Sequence, residues 1–273
     1  MSLTINSNIQ SLQIDKQISQ KSSQVKDSIE RLSSGKSINK PSDNPAGLAV
    51  ALALLATADT SAVAARNISD GVSVANIADG AVSTAQDVTT RLAELSTQAA
   101  NGTLSDDQRA ALNNEFQALT SELDRISQTT SFNGQSLLAA DSSVTIQAGT
   151  TGSEQSRVSL GLPGVSSASL GLSGADISTA EGARTALESV KAAQDTLAQA
   201  RGEIGAGVSR LETAFNVLQT SEVNQRESAS RILDVDVAKE SSNLVANRIQ
   251  LEAAVAVKGQ ANTLPSIAQL LLS

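Results

Sequence analysis

Between positions 187 and 218 the chain sets Leu187, Val190, Gln194, Leu197, Arg201, Ile204, Val208, Leu211, Phe215 and Leu218 at alternating steps of three and four. Only an α-helix gathers such positions on one face, so the spacing predicts a long helix with a narrow seam. Ser178 followed by Glu181 supplies a capping box for its start. Gly202, Gly205 and Gly207 weaken the helix by up to about 1 kcal/mol each and make room for a close neighbour. A seam shift near Ile232 leads on through Leu233, Val237, Leu244, Leu251 and Ala254, so the helical tract is expected to reach about Asn262.

The same period governs the beginning of the chain. Ile5, Ile9, Leu12, Ile14, Ile18, Val25, Ile29 and Leu32 form a one-sided stripe among Ser, Gln, Asn and Lys, a helix with too little apolar surface to stand without a partner. The stretch 32–50, LSSGKSINKPSDNPAGLAV, then forms a joint. Gly35 offers the left-handed geometry that closes a helix, Pro41 and Pro45 bias the residues before them out of the α region, and Asn44 before Pro45 restarts a helix as an N-cap ahead of a pre-set φ. Gly35, Lys36 and Ser37 imitate the end of a phosphate-binding loop, but Glu30 stands where that motif needs glycine and no strand precedes it.

Beyond the joint an alanine-rich helix is expected from Pro45 toward Ala100, with Ile68, Val72, Ala75, Val82, Leu92 and Leu95 near one side. Asn101 and Gly102 end it, Ser105 with Gln108 forms a capping box, and Leu112, Phe116, Leu119, Leu123 and Ile126 line the next helix. A short connection between two amphipathic helices predicts an antiparallel pair. From 131 to 175 the texture turns to Gly, Ser and Thr, with β-type runs at 144–147 and 157–160 and six glycines between Gly149 and Gly174. One or two β-hairpins are expected there, forming a small, dispensable surface tip over about 139–177.

Composition narrows the function. Three Phe and no Trp, Tyr, His or Cys leave Leu, Ile, Val and Ala to fill narrow helix seams, the composition of a rod. Without Cys or His there is no thiol nucleophile, disulfide, imidazole base, or thiolate or imidazole metal site, and no cofactor or metal is expected. The net charge of −8 argues against nucleic acid. It is unevenly spread, with six basic against three acidic residues in 1–41 and 11 against 21 in 42–231. Residues 2–20 lack the pattern of a signal peptide, and the longest apolar run, 46–56, is interrupted by Gly47 and well short of the ~20 residues of a membrane span, so neither is expected. Asn67 and Asn101 sit in N-x-S/T sequons, and both terminal segments are amphipathic without a partner in their own halves, which pairs 1–33 with about 234–272.

INSNIQSL at 5–12, LSSGKSINKPSDNPAGLAV at 32–50, ELSTQAANGT at 94–103, SFNGQSLL at 131–138 and ANRIQLEAAVAVKGQANTLPSIAQLLL at 246–272 follow, in order, blocks of a known family. In these the chain resembles the bacterial flagellins, of the short kind without large variable outer domains. The resemblance implies a mainly α fold in three parts: 1–41 and 234–273 as the paired inner-tube helices, and 42–233 as an outer-tube bundle carrying the β tip. It implies a structural, non-enzymatic subunit of the flagellar filament used for motility, secreted through the filament channel. The small apolar surface of each terminal segment separately predicts that both termini are largely disordered in the monomer and become helical on assembly.

The candidate assembly residues, apolar positions of the two terminal helices, are Ile5, Ile9, Leu12, Ile18, Val25, Leu244, Leu251, Val255, Ile267 and Leu270, with Gly35, Pro41, Asn44 and Pro45 at the joint. The implied partners are further copies of the chain, the export apparatus, an export chaperone, the filament cap and the hook–filament junction proteins. By the same resemblance Arg91, Leu95 and Glu115 fall on a face that packs against neighbouring subunits and that an animal Toll-like receptor reads; Ala93 departs from the arginine of receptor-recognised members. Two other classes compete: an enzyme displayed on a filament, whose zinc-protease HExxH motif the lack of His removes, and a secreted adhesin or polysaccharide-binding module acting through the tip.

Overall fold

A computed structural model describes residues 8–272, with side chains through Thr263. The elements are α1 (Ile9–Ser34), α2 (Pro45–Ala99), α3 (Asp106–Thr129), β1 (Ser131–Phe132), β2 (Gln135–Ser136), β3 (Ser142–Gln147), β4 (Arg157–Leu162), α4 (Ala180–Leu233) and α5 (Val237–Leu272). The chain is mainly α, with two small antiparallel hairpins, as the periodicity predicts. It divides into two compact units, Met1–Ala56 with Asn224–Ser273, and Thr57–Val223.

In the second unit the core is shared by α2, α3, α4 and the β3/β4 hairpin. Bonds from Arg91 to Glu115 and from Arg109 back to the Ala99 carbonyl run α3 antiparallel to α2. Arg109 was not foreseen as a structural residue. It is buried, and its guanidinium caps the end of α2 through Ala99 (3.0 Å) and Asn101 (3.2 Å) while pairing with Asp106. Those carbonyls lie in the last turn and beyond, where no helical N–H can reach them. The capping box of Ser105 and Gln108 forms as expected. At α4 the box does not: Asp176 takes the Ser178 N–H, the helix starts at Ala180, and Thr179 caps Gly182 at 3.0 Å.

The seam of α4 differs from the sequence expectation in an informative way. Val190, Leu197, Ile204, Leu211 and Leu218 are buried as predicted, but the alternate positions are filled by Ala186, Ala193, Ala200 and Gly207, one residue before the larger Leu187, Gln194, Arg201 and Val208. Those larger side chains flank the seam half-buried, and Arg201 there binds Asp79 at 2.8 Å and Gln86 at 3.1 Å. Large and small layers thus alternate, so backbones approach closely without a bulky aromatic core.

Gly207 is the smallest of these layers, and the β3/β4 hairpin enters there. A Cβ at Gly207 would stand 2.5 Å from Leu160 Cδ1, and one at Gly71 on α2 would stand 2.7 Å from Ile146 Cγ1. Gly202 and Gly205 meet nothing within 4 Å, so of the three glycines expected to admit a neighbour one does so. The region 139–177 is correspondingly no loose surface elaboration. Leu160, Leu162, Val165, Leu170, Leu172 and Ile177 are all buried, and the returning segment is tied to α3 by Asp124 to Ser167, Asn113 to Ile177 and Gln117 to Ala175. That burial argues against the segment being dispensable.

In the first unit α1 and α5 pair, and two breaks lie together. The second was not expected: the tract from α4 stops at Leu233 and restarts at Val237, where Asp236 caps the Lys239 N–H at 3.0 Å. Helix then continues past Asn262, through Pro265, to Leu272. By length and composition α2 is apolar enough to cross a bilayer, which the reading of 46–56 did not anticipate. Alanine and valine supply that character, and Ala58, Ala64, Ala75 and Ala78 are buried in protein contacts.

The glycines give a paired prediction. Gly207→Val should destabilise the protein by about 1–3 kcal/mol, because Leu160 is fully packed and must shift. Gly202→Ala should stabilise it by about 0.5–1 kcal/mol through helix propensity alone. Urea unfolding measures both, and equal shifts would contradict the hairpin's seat.

Candidate assembly interface

The two terminal helices meet along positions that repeat at three and four on both sides. On α1 the half-buried or buried line is Ser11, Ile14, Ile18, Lys21, Val25, Ser28 and Leu32. On α5 it is Glu240, Leu244, Asn247, Leu251, Ala254, Lys258 and Ala261. Each line mixes apolar and polar residues, and the polar ones are matched across the seam. Ser28 bonds the Glu240 carboxylate, Lys21 Nζ reaches Asn247 Oδ1 at 3.4 Å, and Lys258 pairs with Asp15. The pairing runs antiparallel, since partners rise on α1 as they fall on α5. A polar position in a helical seam weakens it but fixes its register, because any other alignment leaves a buried polar group unpaired.

At the open end of the pair one bond explains how helix passes a proline. Pro265 has no N–H, so the Ala261 carbonyl loses its donor one turn on. Asn8 Nδ2 donates to that carbonyl at 3.1 Å, while Asn8 Oδ1 accepts from Ser11 N at 3.0 Å as the N-cap of α1. One side chain therefore starts α1 and carries α5 across its break.

Glu240 is the buried charge of the seam. The Ser28 hydroxyl, then Asn243 and the Arg31 guanidinium 3.8 Å away, hold its carboxyl below the usual carboxylate range against the opposing effect of burial.

At the joint, Gly35 adopts φ 71 and closes α1, and Asn44 Oδ1 accepts from Gly47 N at 2.9 Å with Pro45 as the first residue of α2. Pro41 lies in the intervening turn. Sequence reasoning missed Asp43, whose carboxylate accepts the N–H groups of Asn39 (3.0 Å) and Lys40 (2.9 Å) and is held below the carboxylate range by them. The signal was an Asp three or four residues after free backbone donors in a loop. It also missed the partner strand: Ser37 N donates to Leu233 O at 2.6 Å and Val235 N to Gly35 O at 3.0 Å, with Lys36 opposite Asp234. Ile38, Ala51 and Leu233 are buried beneath.

The residues expected at the assembly interface divide by burial. Ile18, Val25, Leu244 and Leu251 lie half-buried in the α1/α5 seam, whereas Ile9, Leu12 and Val255 are 57%, 66% and 53% exposed. Ile5 lies outside the described residues, and the side chains of Ile267 and Leu270 likewise. Val245, Ile249 and Val257 on α5 join the exposed set. Of the face drawn through Arg91, Leu95 and Glu115, Arg91 binds Glu115 at 2.9 Å and Glu94 at 2.8 Å in the open. Leu95 is a correction. It is fully buried in the core of the second unit, so it supports this face from beneath and does not line it.

Two family models match the chain, the bacterial flagellin N-terminal helical region over residues 5–143 and the bacterial flagellin C-terminal helical region over residues 187–271. A flagellin of Halalkalibacterium halodurans is 32% identical over 98% of this chain and 100% of that one. A flagellin of Listeria monocytogenes is 29% identical over 99% and 100%. A flagellar filament 30.7 kDa core protein of Treponema maltophilum is 31% identical over 96% of each chain. The crystal structure of Bacillus cereus flagellin overlaps 56% of this chain and 88% of that one at a TM-score of 0.47 and 25% identity. Matched along its helical regions at both ends and over nearly its whole length, the chain belongs to the bacterial flagellin family.

Proposed function

We propose that the chain is a structural subunit that self-assembles into the bacterial flagellar filament, acting by burial of helices between copies and without bond chemistry. The observation that carries this is the α1/α5 pair, which buries one narrow seam and leaves Ile9, Leu12, Val245, Ile249, Val255 and Val257 more than half exposed. A line of large apolar residues on that scale is the mark of a surface made to be covered. Residues 1–41 with 234–273 form the inner-tube part and 42–233 the outer, and the subunit works outside the cell as part of the flagellum. Delivery through the export apparatus with a chaperone, contact with the filament cap and the hook–filament junction, and reading of the Arg91–Glu115 face by an animal Toll-like receptor belong to the same reading. Leu95, being buried, takes part in the last only from beneath, as part of the core.

Because the seam is narrow and partly polar, ordering of the termini is completed by neighbours in the polymer, at a backbone entropy of about 1–2 kcal/mol per residue fixed. Amide exchange should show weak protection of residues 9–33 and 240–262 in monomers and strong protection in filaments. Negative-stain microscopy of concentrated protein should show regular tubes, and Ile249→Asp should abolish them while leaving the monomer's exchange pattern in 57–223 unchanged. Tubes formed as readily by this variant would remove the outward face from the interface.

The Glu240 geometry gives the pair a defined response to acid. Its carboxyl is held low in the folded state, so its contribution is present above the unfolded carboxylate value and is lost as pH falls through the lowered one. Protection of the α1/α5 pair in filaments should therefore decline on acidification, and Glu240→Gln, which keeps a hydrogen bond to Ser28 without the charge, should flatten that part of the pH profile. An unchanged profile in the variant would place the acid sensitivity elsewhere.

A further inference from the structure

The turn joining α2 to α3 holds an Asn-Gly dipeptide. The sequence contains two Asn-Gly pairs, at 101 and 102 and at 133 and 134. In each the glycine has no Cβ to shield its peptide nitrogen from the preceding side-chain amide. The structure treats the two pairs differently.

Asn133 and Gly134 are the turn of the β1/β2 hairpin, at φ 50 and 79, with Phe132 paired to Gln135 across it. Any ring closure at Asn133 must first unwind two left-handed residues and part the strands. Asn101 is exposed, just past the end of α2, and a Cβ on Gly102 would meet nothing within 4 Å. Its Oδ1 accepts from Thr103 N at 3.1 Å. That bond folds the side-chain amide back over the Gly102 peptide and draws electrons from Cγ. The main-chain oxygen of Asn101 accepts from Arg109 Nη2 at 3.2 Å. Peptide resonance couples that oxygen to the Gly102 nitrogen, so a guanidinium on the oxygen eases loss of the N–H proton. The electrophile and the nucleophile of one reaction are each polarised by a separate donor.

We propose that Asn101 is a site of spontaneous deamidation, promoted by Arg109. The Gly102 nitrogen gives its proton to solvent and attacks Asn101 Cγ; the new C–N bond closes a succinimide, the Cγ–Nδ2 bond breaks, and the nitrogen leaves as ammonia after taking up a proton. Water then opens the ring at either carbonyl, leaving aspartate or isoaspartate. Both products place a carboxylate beside the guanidinium that caps α2 and pairs with Asp106, and isoaspartate also lengthens the main chain and removes the Asx turn. The α2/α3 connection thereby gains charge in both products and, in isoaspartate, loses its turn geometry as the protein ages.

The test is peptide mapping by mass spectrometry of the full-length protein held at mildly alkaline pH. Tryptic cleavage after Arg91, Arg109, Arg125 and Arg157 puts Asn101 and Asn133 on separate peptides. In the folded protein the Asn101 peptide should exchange NH2 for OH severalfold faster than the Asn133 peptide, with isoaspartate detected by enzymatic methylation. In urea the two rates should converge. Arg109→Lys should slow Asn101 severalfold in the folded state, leave Asn133 unaffected, and have no effect in urea. Comparable folded rates at the two sites, a difference that persists in urea, or an Arg109→Lys rate equal to the parent's would each overturn the proposal.

Discussion

Two helix breaks, far apart in sequence, are held together by main-chain bonds, and the first unit depends on that pairing. Gly35 and Ser37 exchange hydrogen bonds with Val235 and Leu233, as a strand would, above Ile38, Ala51 and Leu233. Each break would by itself be an exposed run of unsatisfied carbonyls and N–H groups. Paired, they satisfy one another and fix where α1 and α5 begin their contact. The register of the terminal seam follows, since Ser28 and Glu240 lie within two turns of this bridge and the remaining polar pairs are set by helical pitch.

The helices, the first joint and the antiparallel α2/α3 pair were legible because their causes are local: three-and-four spacing, Gly35 at positive φ, Asn44 before Pro45, Ser105 before Gln108. What was not legible has non-local causes. The break at 234–236 contains neither glycine nor proline and exists because 35–37 pairs with it. The burial of 157–177 was hidden by Gly and Ser between its buried leucines. Leu95 could be put on α2 from sequence, but not on its inner side.

The α4 seam shows why small residues mislead. A reader counting large apolar residues accepts Gln194 and Arg201 into the line, because Ala193, Ala200 and Gly207 carry no size signal. Packing density decides otherwise: in a core poor in aromatics a small layer between two large ones is what allows the neighbour in. Gly207 is the limit of that series, and the hairpin's Leu160 occupies the space it leaves. In the terminal helices the apolar stripe was legible from spacing, but not which half of it α5 would cover.

The polar layers of the terminal seam also bear on mechanical load. A pair of helices joined by leucines alone can creep by one heptad at small cost, because each side chain finds an equivalent hole. Here a slip that carries Lys21 to Ala254 strands the ammonium, frees Asn247, and moves Ser28 away from Glu240 at the same moment. Sliding along the axis is resisted at each polar layer, whereas separation of the helices is resisted only weakly. Such a seam is stiff in shear and easily peeled.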